Sequence, residues 1–281
     1  MVSWFRSSWR ILLYLLLTGS TILIQGSALI FRLPWRQTFP MWYHRQVCRI
    51  AGLKVERRGR QSRQHPTLYV INHVSYLDIE VIGSLIKGSF VAKAEVKSWP
   101  LFGLLARLQR SVFVERRAPK TAETRDEMGR RLEAGESLML FPEGTSGDGN
   151  RVLPFKSALF SVAERRPKGQ PLTVQAVSVA YAKLDGLPMG RYLRPYFAWY
   201  GDMDLFGHIW GAFGIGKVSA VVEFHKPVTF DQFGSRKAMA EYCQAQVQRG
   251  LTQALTGRPQ PQLPEPRARV LPAPAAAATL G

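Results

Sequence analysis

Cysteine is nearly absent: Cys48 and Cys243 are the only two in 281 residues, they lie far apart, and neither sits in a CxxC pair or a Cys/His cluster. A disulfide framework and a thiolate zinc site are therefore not indicated, and a reducing compartment fits. Acidic residues are also scarce, with 20 Asp and Glu against 38 Lys and Arg, a net charge of +18. Such an imbalance calls for an anionic partner: nucleic acid, an anionic membrane surface or an acidic carrier. No nucleic-acid motif is visible and the basic residues are spread along the chain, which argues against the first of these. No internal repeat is present.

Charge is missing altogether from Ile11 to Phe31, 21 residues bounded by Arg6 and Arg10 on one side and Arg32 and Arg36 on the other. At about 1.5 Å per residue this reaches roughly the 30 Å of a hydrocarbon core. Trp4, Trp9 and Trp35 mark its edges, where indoles favour the headgroup level. Residues 1–36 are thus expected to form a membrane-associated N-terminal segment. Gly19, Ser20, Gln25, Gly26 and Ser27 soften its middle, so crossing the bilayer and dipping into one leaflet both stay open, as does a cleaved signal peptide.

From residue 37 the pattern becomes mixed. An amphipathic stretch from Trp42 to Ile50 ends at Gly52 and leads into a strand-like Leu53 to Glu56; it suits either a membrane surface or a core-packing connector. Strands are expected at Thr67–Ile71, Phe90–Ala92, Ser111–Val114, Ser137–Phe141, Leu172–Tyr181 and Ser219–Phe224. Helices are expected after Asn72, at Leu101–Leu108, Thr121–Glu133, from Pro154 to Ala163 and at Ser235–Leu255. Region 184–217 reads as a long loop or a short helix near lipid. This rhythm predicts an α/β domain over 37–257, with a mixed, largely parallel sheet flanked by helices. The Pro/Ala-rich residues 258–281 cannot build a core and are expected to be a disordered tail.

Two stretches carry chemistry. Asn72-His73-Val74-Ser75-Tyr76-Leu77-Asp78 follows a buried strand, with Asn72 and Ser75 as candidate helix caps. Residues five apart in a helix lie about 140° apart in azimuth, so His73 and Asp78 meet only if His73 stays in the turn and Asp78 sits on the first helical turn. Asp78 would then fix the imidazole tautomer and leave the other nitrogen to take a proton. The bland alternative is a capping histidine and a solvated first-turn acid. Further on, Phe141-Pro142-Glu143-Gly144-Thr145 follows another buried strand, and its tight turn presents Glu143 and Thr145 at the sheet end where open α/β folds hold ligands.

Over roughly residues 50 to 230 the chain resembles the glycerolipid acyltransferase family, which acylates lysolipids such as 1-acylglycerol-3-phosphate. The resemblance rests on His73 and Asp78, matching HxxxxD. It rests also on Lys93-Ala94-Glu95-Val96 through Pro100-Leu101-Phe102-Gly103 and Val112 to Arg116, and on Phe141 to Thr145. It implies that His73 deprotonates the acceptor hydroxyl, that Asp78 orients and supports the imidazolium, and that the alkoxide attacks an acyl-ACP or acyl-CoA thioester without an acyl-enzyme. No metal and no bound cofactor is implied. Arg116, Glu143, Gly144 and Thr145 would bind the acceptor's polar head. Turn and surface ion-pair roles are the plain readings of Glu143 and Arg116. The resemblance places the enzyme at a bacterial-type inner (cytoplasmic) membrane, catalytic domain on the cytoplasmic side. Its partners are a membrane lysolipid, an acyl carrier protein or coenzyme A thioester and the anionic membrane surface, without nucleic acid.

The chain departs from the family pattern in three places. Ser146 stands where an arginine commonly follows Glu-Gly-Thr, Arg110 where the second block often has glycine, and Ala176 where a later proline is usual. Residues 141–157 and Trp199 to Met203 look more like the branch of lyso-ornithine lipid acyltransferases. Asp148 would suit an ornithine ammonium better than a phosphate. Lyso-ornithine lipid is thus the expected acceptor, with 1-acyl-sn-glycerol-3-phosphate its competitor. A basic membrane-anchored binding protein and a lipid hydrolase are the readings from other classes.

Overall fold

The computed structural model describes residues 2–114 and 118–266, without the side chains of 118–125. The expectation for Arg116 and that for the last fifteen tail residues lie outside the described residues. Residues 257–266 form neither helix nor strand, and Lys226 Nζ pairs with Glu265 at 2.6 Å.

The apolar runs become strands: β1 (Leu53–Gly59), β2 (Thr67–Ile71), β3 (Ser89–Lys93), β4 (Val112–Val114), β5 (Leu138–Leu140), β6 (Thr173–Leu184), β7 (Leu187–Pro188), β8 (Val218–Phe224) and β9 (Val228–Thr229). They join one sheet in the order β1-β8-β6-β2-β5-β3-β4, with β7 and β9 added on β6. Pairing is parallel except where β6 meets β7, β8 and β9. β2 and β5 are buried at every position, which explains why they read as unbroken apolar runs rather than alternating ones.

Helices cover both faces. On one lie α2 (Phe39–Ala51), α3 (Leu77–Gly83) and α6 (Leu205–Gly214), around a core that includes Tyr69, Ile71, Val81, Ile82 and Phe213. On the other lie α5 (Ala118–Glu133) and α7 (Arg236–Thr256), around Leu68, Val70, Leu132, Phe160 and Met239. The short α4 (Phe102–Leu108) precedes β4 in the chain. Both cysteines are buried and unpaired.

Three local expectations change. The run from Pro154 to Ala163 is a 3₁₀ segment, Ser157–Glu164, because the chain stays extended through Lys156, where the amides of Val152 and Phe155 are tied to Gln248 (2.9 Å) and Gln244 (3.0 Å) on α7. The helix after Asn72 begins only at Leu77, and neither Asn72 nor Ser75 caps it. Strand β6 extends three residues past Tyr181, and its last rungs pair with β8.

The N-terminal charge-free stretch, up to its last residue, lies in one helix, α1 (Trp4–Ile30), about 40 Å long at the usual rise, and Phe31 caps it. Its burial is inverted relative to a water-facing helix. The faces turned to the domain are Ser7, Thr18, Thr21, Gln25 and Ala28, while Trp4, Phe5, Leu16, Leu23 and Ile30 face outward. Polar bonds fasten it at intervals. Ser7 Oγ donates to the Trp210 carbonyl at 2.9 Å, the Thr18 and Tyr43 hydroxyls meet at 3.0 Å, and Gln25 Nε2 donates to the Arg36 carbonyl at 2.8 Å. Arg10 adds bonds to the carbonyls of Phe213 and Ile215 at the end of α6.

Candidate active site

Parallel strands β2 and β5 are neighbours, so their C-terminal ends open onto the same edge of the sheet. The first special residue there is Asn72. Its side chain pairs with β6 as a peptide would, donating to the Val179 carbonyl (2.9 Å) and accepting from the Val179 amide (2.7 Å). The backbone is thereby freed to turn, and His73 stands in the turn while Asp78 is the second residue of α3.

Asp78 is fully buried. Its Oδ2 accepts from His73 Nδ1 (2.9 Å), the Val74 amide (2.6 Å) and the Ser75 amide (2.9 Å). Its Oδ1 accepts from the Tyr181 hydroxyl at 2.8 Å. A carboxylate only accepts, so Nδ1 carries the hydrogen and the Nε2 lone pair is left to take a proton. Nε2 has no hydrogen-bond partner among the described residues, and the His73 side chain keeps 23% of its surface open. The imidazole stacks on Phe141, centroids 4.2 Å apart and planes 22° apart, which holds the ring upright beside the turn.

Glu143 lies under this turn and is almost fully buried. Its Oε1 accepts from the His73 amide (2.8 Å) and its Oε2 from the Leu153 amide (2.9 Å), so it clamps two loops together. Burial raises its pKa to about 8; the two amide bonds oppose that shift and the charge of Asp78 adds to it. Gly144 has φ +70°, a left-handed conformation that favours glycine, and the end of the Lys156 side chain lies over it. Thr145 is exposed beside it.

The loop that follows is fixed against the histidine. The Gly147 amide donates to the His73 carbonyl at 2.9 Å, and a Cβ on Gly149 would come within 3.0 Å of Val74 Cγ1. Ser146, where the family has arginine, donates its hydroxyl to the Trp199 carbonyl, and the Trp199 amide bonds the Val74 carbonyl at 3.0 Å. Asp148 accepts the Asn150 amide on Oδ1 (2.9 Å) and Asn150 Nδ2 on Oδ2 (3.1 Å). Burial works to raise its pKa, but the bonds from Asn150 and the charges of Arg151 and Arg191 outweigh it and hold the carboxyl below its usual range.

The structure thus brings His73, Asp78, Glu143 and the 144–148 turn to one edge. It adds residues that sequence reasoning missed: Tyr181, Phe141 as the stacking partner, Trp199 and Arg194. A tyrosine inside an apolar strand is the one available signal, because a buried phenol needs a partner. Arg110 has φ +61° and closes the end of α4, with its amide on the Arg107 carbonyl and the Ser111 amide on that of Ala106. This is the left-handed helix end that favours glycine, which accounts for the family preference there. Its side chain pairs with Glu136. Among the described residues no cluster of three or more His, Cys, Asp or Glu stands ready for a metal ion.

A base held by a buried carboxylate at a strand end, with no serine hydroxyl or cysteine thiol bonded to its free nitrogen among the described residues, has the geometry to accept a proton from a hydroxyl brought to it. The acyltransferase family profile matches residues 52–181, the segment holding these groups through Tyr181. A lyso-ornithine lipid O-acyltransferase of Brucella abortus is 42% identical over 232 residues, 81% of this chain and 87% of that one. One of Rhizobium meliloti is 39% identical over 262 residues, 92% of this chain and 90% of its own. The crystal structure of the 1-acyl-sn-glycerophosphate acyltransferase of Thermotoga maritima superposes with a TM-score of 0.62, at 21% identity, over 90% of this chain and all of that one. The chain belongs to the acyltransferase family.

Proposed function

We propose that the protein is a membrane-associated lysolipid O-acyltransferase. In this reading His73 Nε2 takes the proton of the acceptor hydroxyl. The resulting oxygen attacks the carbonyl carbon of an acyl-ACP or acyl-CoA thioester, the C–S bond breaks, and the thiolate leaves with the proton returned by the imidazolium. Asp78 stabilises that imidazolium from its buried position. The observation that carries the reading is the Nδ1 to Asp78 bond at 2.9 Å with the opposite nitrogen open. No acyl-enzyme and no bound cofactor enters the scheme.

The acceptor we favour is lyso-ornithine lipid, the substrate named for the Brucella and Rhizobium relatives. The Ser146 position supports it: the side chain that would be a phosphate-binding arginine is a hydroxyl tied to the Trp199 carbonyl, and the next charged side chain is acidic Asp148. The outward apolar face of α1 supports membrane association with the helix lying along the domain, dipping into one leaflet.

The test offers membranes and the purified protein lyso-ornithine lipid and 1-acyl-sn-glycerol-3-phosphate separately, each with labelled acyl-ACP or acyl-CoA. Transfer to the first is expected, with Asp78→Asn folding normally and lowering kcat by about 10²- to 10⁴-fold, the range of general-base contributions. Transfer to neither acceptor sinks the enzyme reading; transfer only to the second replaces the acceptor.

A further inference from the structure

The loop beside the catalytic turn contains a chain of side chains that the transfer chemistry above does not use. Asn150 Nδ2 donates to Asp148, which turns Asn150 Oδ1 the other way, and Arg194 Nη1 donates to it. Arg194 Nη2 reaches the Met189 carbonyl at 3.3 Å, and its Nε is buried with no partner among the described residues. Arg151 and Arg191 are exposed and close enough to Asp148 to act on its charge. The result is a fixed negative group with the Arg194 guanidinium held one amide away and Arg151 and Arg191 near it. All are carried on loops bonded to the His73–Val74 backbone, the first through Gly147 and the second through Trp199.

A loop staple alone would not need this arrangement. Two exposed arginines add nothing to the Asn150 contacts, and Asp148 uses only one accepting direction on each oxygen, where a carboxylate has about four in all. A phosphate monoester would meet Asp148 as a like charge. A head group that is itself a zwitterion matches both poles. Ornithine acylated on its α-amine keeps two charges, an α-carboxylate and a side-chain ammonium.

We propose that Asp148, Asn150, Arg191 and Arg194 form the head-group subsite of the acceptor, with Arg191 and Arg194 receiving the free carboxylate and Asp148 the ammonium. Asn150 sets the spacing between the two poles. The inference rests on the acceptor reading above and extends it to the residues that select the acceptor.

The experiment compares three acceptors with the full-length protein: lyso-ornithine lipid, its α-carboxyl methyl ester and its δ-N-acetyl derivative. The wild type is expected to lose roughly 10- to 100-fold in kcat/KM on each blocked acceptor, the scale of removing a charged hydrogen-bond partner. Arg191→Gln and Arg194→Gln are expected to fall on the free acid, chiefly through KM, and to become indifferent to esterification. Asp148→Asn is expected to become indifferent to N-acetylation. Arg191 is exposed, so its variant remains informative if Arg194→Gln fails to fold. Equal losses on all three acceptors would mark a purely structural staple and overturn the subsite. Wild-type enzyme that ignores both blocking groups would overturn it as well. Wild-type enzyme inactive on lyso-ornithine lipid but active on 1-acyl-sn-glycerol-3-phosphate would overturn the acceptor reading first, and the subsite with it.

Discussion

Tyr181 donates its hydroxyl to Asp78 Oδ1 at 2.8 Å across 103 residues of sequence, and both side chains are buried. The phenol is held well above its usual pKa by burial and by the Asp78 charge, so it remains a donor throughout the working range. It occupies the one oxygen that the turn amides leave open, and β6 thereby fixes the rotation of the carboxylate that steers His73.

Tyr181→Phe should therefore act through Asp78 rather than through contact with substrate. The lost donor leaves Oδ1 unsatisfied in a dry site, a cost of about 1–3 kcal/mol. Denaturant unfolding should show that loss. The kcat should fall with KM nearly unchanged, because the carboxylate that orients His73 is then free to rotate. An unchanged kcat would leave Tyr181 with a packing role only.

Glu143 makes stability depend on pH in a direction unusual for a carboxyl group. Its native pKa of about 8 lies above that of an unfolded glutamate, so the native state binds the extra proton. Its contribution is fully present below the unfolded value near 4.5 and is lost as pH rises through about 8. The unfolding midpoint should decline across that window more steeply than in Glu143→Gln. The glutamine should also lower activity, since its NH₂ must face one of the two amide donors, from His73 or Leu153, that the two carboxyl oxygens now accept.

The outward face of α1 can be made polar without touching its docking bonds. Leu16 and Leu23 are 63% and 72% exposed. Leu16→Glu combined with Leu23→Glu should leave the unfolding free energy within about 0.5 kcal/mol, the usual range for exposed sites in water. It should reduce co-sedimentation with anionic vesicles by at least about 10-fold, since each buried leucine contributes roughly 1.5–3 kcal/mol. Unchanged vesicle binding would mean that this face is not the one that meets lipid.

Much of this was legible from residue order. The buried strands announce themselves as unbroken apolar runs, and the spacing of His73 and Asp78 admits one geometry, base in the turn and acid on the first helical turn. The inverted face of α1 was not legible, because Gln25 within an apolar run reads as a soft spot until the domain surface beside it is known. Tyr181 reads as strand core until β6 lies next to β2. Arg194 falls in a region of loop composition, and nothing local ties it to Asn150, 44 residues earlier. Asn72 invited the wrong role, since an asparagine ahead of a helix is an ordinary cap, and here a neighbouring strand competes for its amide and wins.

That competition has a structural consequence. A β-ladder normally ends where its backbone leaves, and the freed partner strand then shows an unpaired donor and acceptor. At Asn72 the backbone leaves and a carboxamide fills the rung, so Val179 keeps both bonds while the chain turns out of the sheet one residue before the base. The rung is chemically selective. Aspartate has the shape but no hydrogen to give, leucine has the volume but neither function, and glutamine carries the amide one methylene too far. The His73 turn is in this way mounted on the sheet through a side-chain rung, with none of a strand's constraint on where its backbone points.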